Sequence, residues 1–561
     1  MDCTNGVVPS DEQLVQCQKK AEAFNMAHQI SERRSANYKP NIWKYELLQS
    51  LRSEYTDEEY NAHMEKQKEE IKMMFVKALD QVAKLELTDK IEKLGLSYLF
   101  EEEIKEALDN IVSNSPSVKD DLYATALCFR LLRQHGYSVS QDMFRGFVDE
   151  KDEFMKGTHA QFDVKAMIEL FDASNLGFEG ENILDDANAL SSEVITKLSH
   201  EVELPLNWRV QWYNVRRQII ALEKEDNTNP ILLELAKFNF NMVQAIHQKD
   251  LGVTARWWKN LGLAENLKFT RDRVVESYLW AVGVAFEPQF GNFRKWLTKA
   301  ITFIIVIDDV YDVYGSLEEL ECFTNAVDRW DPKEVQHLPE CMKICYEALY
   351  NTTNEVANEI KKEKGWNSVL PHLQKVWADF CKALLVEAKW YHKGYTPSLQ
   401  EYLDNGWISS SGTVLSLHAL LSFTQEVTKE VTDVLENGHD LVYYTSLIIR
   451  LCNDLGTSSA ELERGDAPSS ILCFMREANV PEEIARKHIR SIIRSTWKKI
   501  NSECVDQKAE SLKPFLRYTT NTARVANFIY QNGDGFGVQD RETREQVLAV
   551  LIQPLPLKDR S

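Results

Sequence analysis

Apolar residues recur at three- and four-residue spacing along most of the chain, as in "LRSEYTDEEYNAHMEKQKEEIKMMFVKAL" (51–79) and "ILLELAKFNFNMVQAIHQ" (231–248). That spacing lays an apolar stripe along one face of an α-helix. Glycine (22) and proline (15) are sparse for 561 residues, so the pattern predicts an all-α protein. It is interrupted most strongly at "SNSPSVKDD" (113–121), "ELPLNW" (203–208) and "EKEDNTNP" (223–230), where proline, asparagine and charge break the period. The last interruption predicts a boundary between two helical domains, 1–230 and 231–561, with all the suggestive chemistry in the second.

One apolar run ends abruptly. Ala300–Ile307 leads straight into Asp308, Asp309 and Asp312, and a carboxylate beside a buried segment is costly unless it is paired or coordinated. On an α-helix Asp308 and Asp312 stand about 40° apart on one face, placed to share a hard cation such as Mg²⁺ or its substitute Mn²⁺. A solvated acidic turn would give the same letters. A second stripe, Asn453, Thr457 and Glu461, runs at i, i+4 and i+8, with Arg450 one turn earlier on the same side. Its apolar flank "YYTSLIIRLC" argues for burial over an ordinary solvated face. Arg271 and Arg273 stand just ahead of an apolar, aromatic segment holding Tyr278 and Trp280, where guanidiniums could cover a diphosphate or simply join a surface ion network. Together the three pieces imply a cavity for metal-assisted departure of diphosphate.

Composition narrows the field of partners. A formal net charge of −21 and a pI near 5.2 exclude the basic footprint that nucleic acid or an anionic membrane needs. The eight-residue run at 300–307 falls far short of the roughly 20 residues that span a bilayer. Ten scattered cysteines without a CxxC pair read as reduced thiols. Residues 1–32 carry early acidic residues, no arginine and no apolar core, so the expected location is cytoplasmic, or the plastid if a transit peptide precedes this sequence.

Four marks in order carry a family resemblance: "RRSANYKPNIW" (33–43), "RDR" (271–273), "DDVYD" (308–312) and "NDLGTSSAE" (453–461). The chain resembles the class I plant terpene synthases, nearest to the monoterpene synthases that carry the RRx8W element. The resemblance implies a C-terminal class I α-bundle with the active site, an N-terminal α-barrel-like domain, and a monomer acting on a small allylic diphosphate. It implies three Mg²⁺ ions, two on Asp308 and Asp312 and one on Asn453, Thr457 and Glu461, with Asp309 behind them. It assigns Arg271, Arg273 and Arg450 to the diphosphate and Arg33 and Arg34 to a lid. Trp280 becomes an aromatic face for a carbocation, and Tyr530 and Asp534 part of a pocket-closing loop. One departure is "RGDAPSSI", which has Ser469 where many members have lysine.

The substrate expected first is geranyl diphosphate, giving ocimene, myrcene, linalool or a cyclic product, because RRx8W accompanies monoterpene formation. Farnesyl diphosphate, or both substrates, is the alternative, and an inactive helical paralogue the remote one. No DxDD motif is present, which disfavours protonation-initiated cyclisation. Where isoprene synthases shorten the pocket with phenylalanine this chain has Ile301 and Ile449, predicting a deeper pocket. The segment "WISSSGTVLSLH" (407–418) is expected to form a kinked helix whose hydroxyls either face the cation or bond within the helix.

Overall fold

The computed structural model describes residues 38–557 except 54, 56–57, 79, 115–120, 149–153, 155–162, 199–203, 227, 367, 465–467, 506–509, 537–538 and 540, and leaves the side chains of 58–62 and 459–464 undescribed. Among the described residues the secondary structure is helical, apart from one isolated bridge between Val148 and Phe154. Arg33 and Arg34 lie outside the described residues.

The first half shows why apolar periodicity and buried charge coexist. Helix α1 (Leu122–Gln134) starts where the Asp121 carboxylate accepts the Ala124 N–H, and α2 (Val164–Ser174) where Asp163 accepts the Lys165 N–H. Each cap satisfies a donor the helix itself cannot. They pack together around Phe129, Phe144, Met167 and Leu170 in a small satellite core. Arg130 of α1 is buried as well and bonds to both Asp89 and, on α2, Glu169.

The interruption at 223–230 proves to be a helix start. Helix α3 (Pro230–Leu261) has Asn229 as its cap, accepting from the Ile231 and Leu232 N–H groups, and proline in its first turn. Gly262, at φ +65°, ends it in the left-handed region that suits glycine. The main apolar core runs continuously across this point, from Trp43 and Leu85 to Leu551 and Leu555, so α3 is buried on both sides.

Beyond α3, helices α4 (Val274–Val284), α5 (Gly291–Asp309), α6 (Leu370–Lys393), α7 (Leu399–Ser409), α8 (Gly412–Phe423), α9 (Asp440–Arg464) and α10 (Lys513–Tyr530) surround a cavity. α9 packs along α10, α5 along α4, and α8 against α5, α9 and α10. Among the described residues no helix is long and apolar enough to cross a membrane.

Candidate active site

The cavity measures about 140 Å³ and divides into an apolar floor and a polar mouth. Ile301, Ile304 and Ile305 of α5, Leu415 of α8 and Ile449 of α9 line the floor. Trp280 stacks on Phe536 at 5.5 Å and meets Tyr530 edge-on at 6.5 Å, giving one side an aromatic wall. Asp308, Asp312, Arg271, Arg450, Asn453, Thr457, Tyr530 and Asp534 all border the same cavity. Residues more than 180 positions apart in sequence thus border one cavity.

The acidic wall differs from an α-helix in one respect. After Asp309 the chain enters a π-helical turn, Val310–Tyr314, closed by the Gly315 N–H bonding to the Val310 carbonyl at 2.8 Å. Widened turns of this kind recur at functional sites because they re-aim side chains. Arg271 donates to Asp308 at 2.6 Å, its guanidinium lies 2.9 Å from Asp309, and its backbone N–H bonds to Asp309 at 2.7 Å. Burial pushes the Asp309 carboxyl up to about 6, with Arg271 pulling it down and Asp308 pushing it up. Asp309 therefore holds Arg271 from behind, while the Asp308 side chain, 34% exposed, faces the opening.

On the opposite wall Arg450 bonds to Asn453 Oδ1 at 3.3 Å and to the Ser409 hydroxyl at 3.2 Å. The Thr457 hydroxyl donates to the Asn453 carbonyl at 2.8 Å, which leaves its oxygen lone pairs available. Glu461 continues this helix, but its side chain lies outside the described residues. Among the described residues no three Asp, Glu, His or Cys side chains close around one point. Oxygen donors split between two walls fit hard cations that complete their coordination with a substrate's phosphate oxygens.

One placement differs from the expectation. Arg273, expected at the diphosphate, does not line the cavity. It is 1% exposed and spends its N–H groups on the carbonyls of Phe536 (2.7 Å), Asp272 (2.9 Å) and Lys39 (3.1 Å). In the 407–418 segment, where both readings stood open, three hydroxyls bond locally, whereas those of Thr413 and Ser416 are buried without a hydrogen-bond partner among the described residues. Ser409 donates to Glu387, Ser410 to the Trp407 carbonyl at 2.8 Å and Ser411 to the Ser410 carbonyl at 2.5 Å. The segment does break, between α7 and α8, with Ser411 at φ +65°. A Cβ on Gly412 would meet Ser446 Oγ at 2.1 Å and its Cα at 2.8 Å, so glycine is needed for α8 to approach α9.

Two residues at the site escaped the sequence reading. Glu387 of α6 lines the cavity and accepts from Ser409 and, at 3.1 Å, from Asn405. Burial raises its carboxyl pKa above the ordinary value, against Arg450 and the Ser409 bond. Tyr402 donates to Asp454 at 2.9 Å, and Asp454 accepts the Ser470 N–H at 2.9 Å. The one signal was a lone Glu387 inside the apolar stretch "ALLVEAKW". Ser469, at the missing lysine, caps the helix Ser470–Ala478 by accepting the Leu472 N–H.

Comparison with known proteins now decides the family. The terpene synthase metal-binding domain model matches residues 259–499 and the terpene synthase N-terminal domain model residues 42–212. The chain belongs to the terpene synthase family. This terpene synthase is 54% identical over 97% of its length to (E,E)-alpha-farnesene synthase of Malus domestica, covering 98% of that protein, and 52% identical over 97% to alpha-farnesene synthase of Ricinus communis, covering 99%. It is 45% identical over 94% of its length to a chloroplastic myrcene synthase of Quercus ilex, covering 90% of that protein. Isoprene synthase of Populus x canescens, solved with three Mg²⁺ ions and dimethylallyl-S-thiolodiphosphate, matches with TM-score 0.84 and 42% identity, covering 92% of this chain and 99% of that one. As a terpene synthase the protein is a lyase that acts on a prenyl diphosphate and carries the family's metal-binding domain.

Proposed function

We propose that the protein ionises farnesyl diphosphate and releases an acyclic olefin of the α-farnesene type, with geranyl diphosphate as a second substrate. The observation that carries this reading is the 52% and 54% identity, over 97% of the chain, to two alpha-farnesene synthases. The lining agrees with it, since Ile301 and Ile449 are smaller than phenylalanine. A second reading, geranyl diphosphate as the preferred substrate, keeps support from the myrcene synthase relative at 45% and from the sequence element ending at Trp43.

The chemistry has two steps. The C1–O bond of the allylic diphosphate breaks with its electron pair leaving on the diphosphate, and the allylic cation then gives up a proton from C4 to the released diphosphate, leaving a conjugated diene. When bound, divalent cations would neutralise charge growing on the leaving group. Asp308 and Asp312 would hold them on one wall and Asn453, Thr457 and Glu461 on the other. Arg271 and Arg450 would grip the diphosphate as paired forks. The face of Trp280 would stabilise the cation through its quadrupole.

The test is incubation of purified protein and Mg²⁺ with equimolar geranyl and farnesyl diphosphates, followed by headspace and extract analysis. Fifteen-carbon acyclic olefin in excess supports the proposal. Ten-carbon product in excess selects the second reading, and a cyclic product from either substrate refutes the acyclic assignment.

A further inference from the structure

The acidic wall rests on a turn that its neighbours must hold. Val310–Tyr314 has π-helical geometry, which is rare and persists only where the surroundings fix it. Asp312 is the third residue of that turn and borders the cavity beside Asp308, so whatever fixes the turn's backbone fixes this carboxylate. Three contacts do so. At the entry, Asp309 accepts the Arg271 N–H at 2.7 Å. At the exit, Tyr314 stacks on Phe269 at 4.2 Å, with the rings 18° apart. Between them Tyr311 reaches a different element. It is 5% exposed, does not line the cavity, and its hydroxyl lies 2.7 Å from Thr324 Oγ1 on the helix Leu317–Arg329.

The direction of that bond follows from its neighbour. The Thr324 hydroxyl gives its one proton to the Leu320 carbonyl at 2.7 Å, so Tyr311 donates and Thr324 accepts. The Cys381 thiol of α6 faces the same phenol. The receiving helix is itself fixed. Its cap, Ser316, accepts the Glu319 N–H while the Glu319 carboxylate accepts the Ser316 N–H at 2.9 Å, and the helix packs along α6. A Cβ on Gly315 would lie 2.8 Å from Leu320 Cγ, so glycine lets the turn close directly onto this helix.

We infer that Tyr311 is a positioning residue for the metal-binding wall: held by Thr324, it sets the π turn and through it the carboxylate of Asp312, with which it shares a peptide bond. Loss of the Tyr311–Thr324 bond therefore weakens cation binding beyond any effect on the fold. The inference rests on the assignment of Asp308 and Asp312 to divalent cations proposed above.

The variants are Tyr311→Phe, Thr324→Val, the double of these two, and Thr324→Ser, which keeps the accepting hydroxyl. Removing one partner of a buried bond costs stability, whereas removing both costs less, so the double separates positioning from stability. The Mg²⁺ concentration for half-maximal turnover should rise about tenfold in Tyr311→Phe, in Thr324→Val and in the double, and less than about twofold in Thr324→Ser. At saturating Mg²⁺, kcat should fall less than about threefold in all four. A second readout needs no turnover. The rise in melting temperature that Mg²⁺ and inorganic diphosphate give together, each variant compared with itself unliganded, should fall to about half in the first three, as a tenfold weaker affinity does at about a hundred times the parent dissociation constant. A parent-like Mg²⁺ requirement and a parent-like rise in Tyr311→Phe would overturn the inference, as would a double in which both return to the parent's values along with stability. A kcat loss that Mg²⁺ does not relieve would also overturn it. No rise in the parent itself would refute the metal assignment underneath, and a rise in the parent without product from either substrate would sink the substrate proposal alone.

Discussion

Arg130 and Arg271 are both buried guanidiniums facing two carboxylates, yet they belong to different kinds of structure. Around Arg130, the partners Asp89 and Glu169 are themselves 11% and 6% exposed, and Lys93 and Gln134 fill the remaining positions. Each nitrogen of that guanidinium bonds to a protein oxygen. Around Arg271, Asp309 is 0% exposed but Asp308 is 34% exposed and borders a cavity. One charge network is satisfied by the fold, and the other is left with acceptor capacity toward a ligand. A buried ion pair alone therefore says little about function. Which carboxylate is turned toward an opening distinguishes the two.

The largest expected effect comes from breaking the open cluster. Asp308→Ala should lower turnover by at least about a thousandfold with a melting temperature close to the parent's, checked by product assay and circular dichroism; comparable turnover in the variant would refute the metal assignment. Breaking the closed cluster should do the reverse. Arg130→Met leaves Asp89 and Glu169 without their buried partner and should cost about 3–5 kcal/mol in denaturant unfolding, while folded protein retains the parent's product profile.

Ile301→Phe tests the floor beneath the open cluster. It should cut farnesyl diphosphate turnover about tenfold and geranyl diphosphate turnover less, read as kcat/KM for each; equal losses would mean the side chain does not set depth.

The smallest effect concerns Asp172, beside the closed cluster. Burial pushes its carboxyl up to about 6, against Arg130 and the Leu206 N–H bond. Because the folded state favours the protonated form, this group's stabilising contribution is full below the unfolded value of 3.8 and is lost as pH rises through about 6. Asp172→Asn should accordingly match the parent near pH 3.5 and be more stable by on the order of 2 kcal/mol at pH 7.5. A parent and variant with parallel stability curves would show that Asp172 does not titrate in this range.

Much of the open site was legible in the sequence because its parts are local. Asp308 with Asp312, and Asn453 with Thr457, sit at helical spacing inside apolar runs, and a single helix face is a short-range property. The helical class was legible for the same reason. What escaped depends on partners distant in sequence. Arg273 carries the same letters as a diphosphate ligand, but the carbonyls that consume it come from residues 39 and 536. Glu387 and Tyr402 look like ordinary helix residues until α6 and α7 bring them against Arg450 and Asp454. The π turn after Asp309 has no composition signal. The local bonds of Ser409, Ser410 and Ser411 are a short-range feature that the sequence left open.

The most direct test of the central claim is thermal denaturation of the full-length protein with Mg²⁺ and inorganic diphosphate, singly and together. The account predicts a rise of a few degrees when both are present at about a hundred times their dissociation constants, worth about 2.7 kcal/mol, and much less with either alone. Asp308→Ala should lose that rise, and Arg130→Met should keep it from a lower starting point. An equal rise in Asp308→Ala, or none in the parent, would contradict the assignment of the open cluster as the diphosphate and metal site.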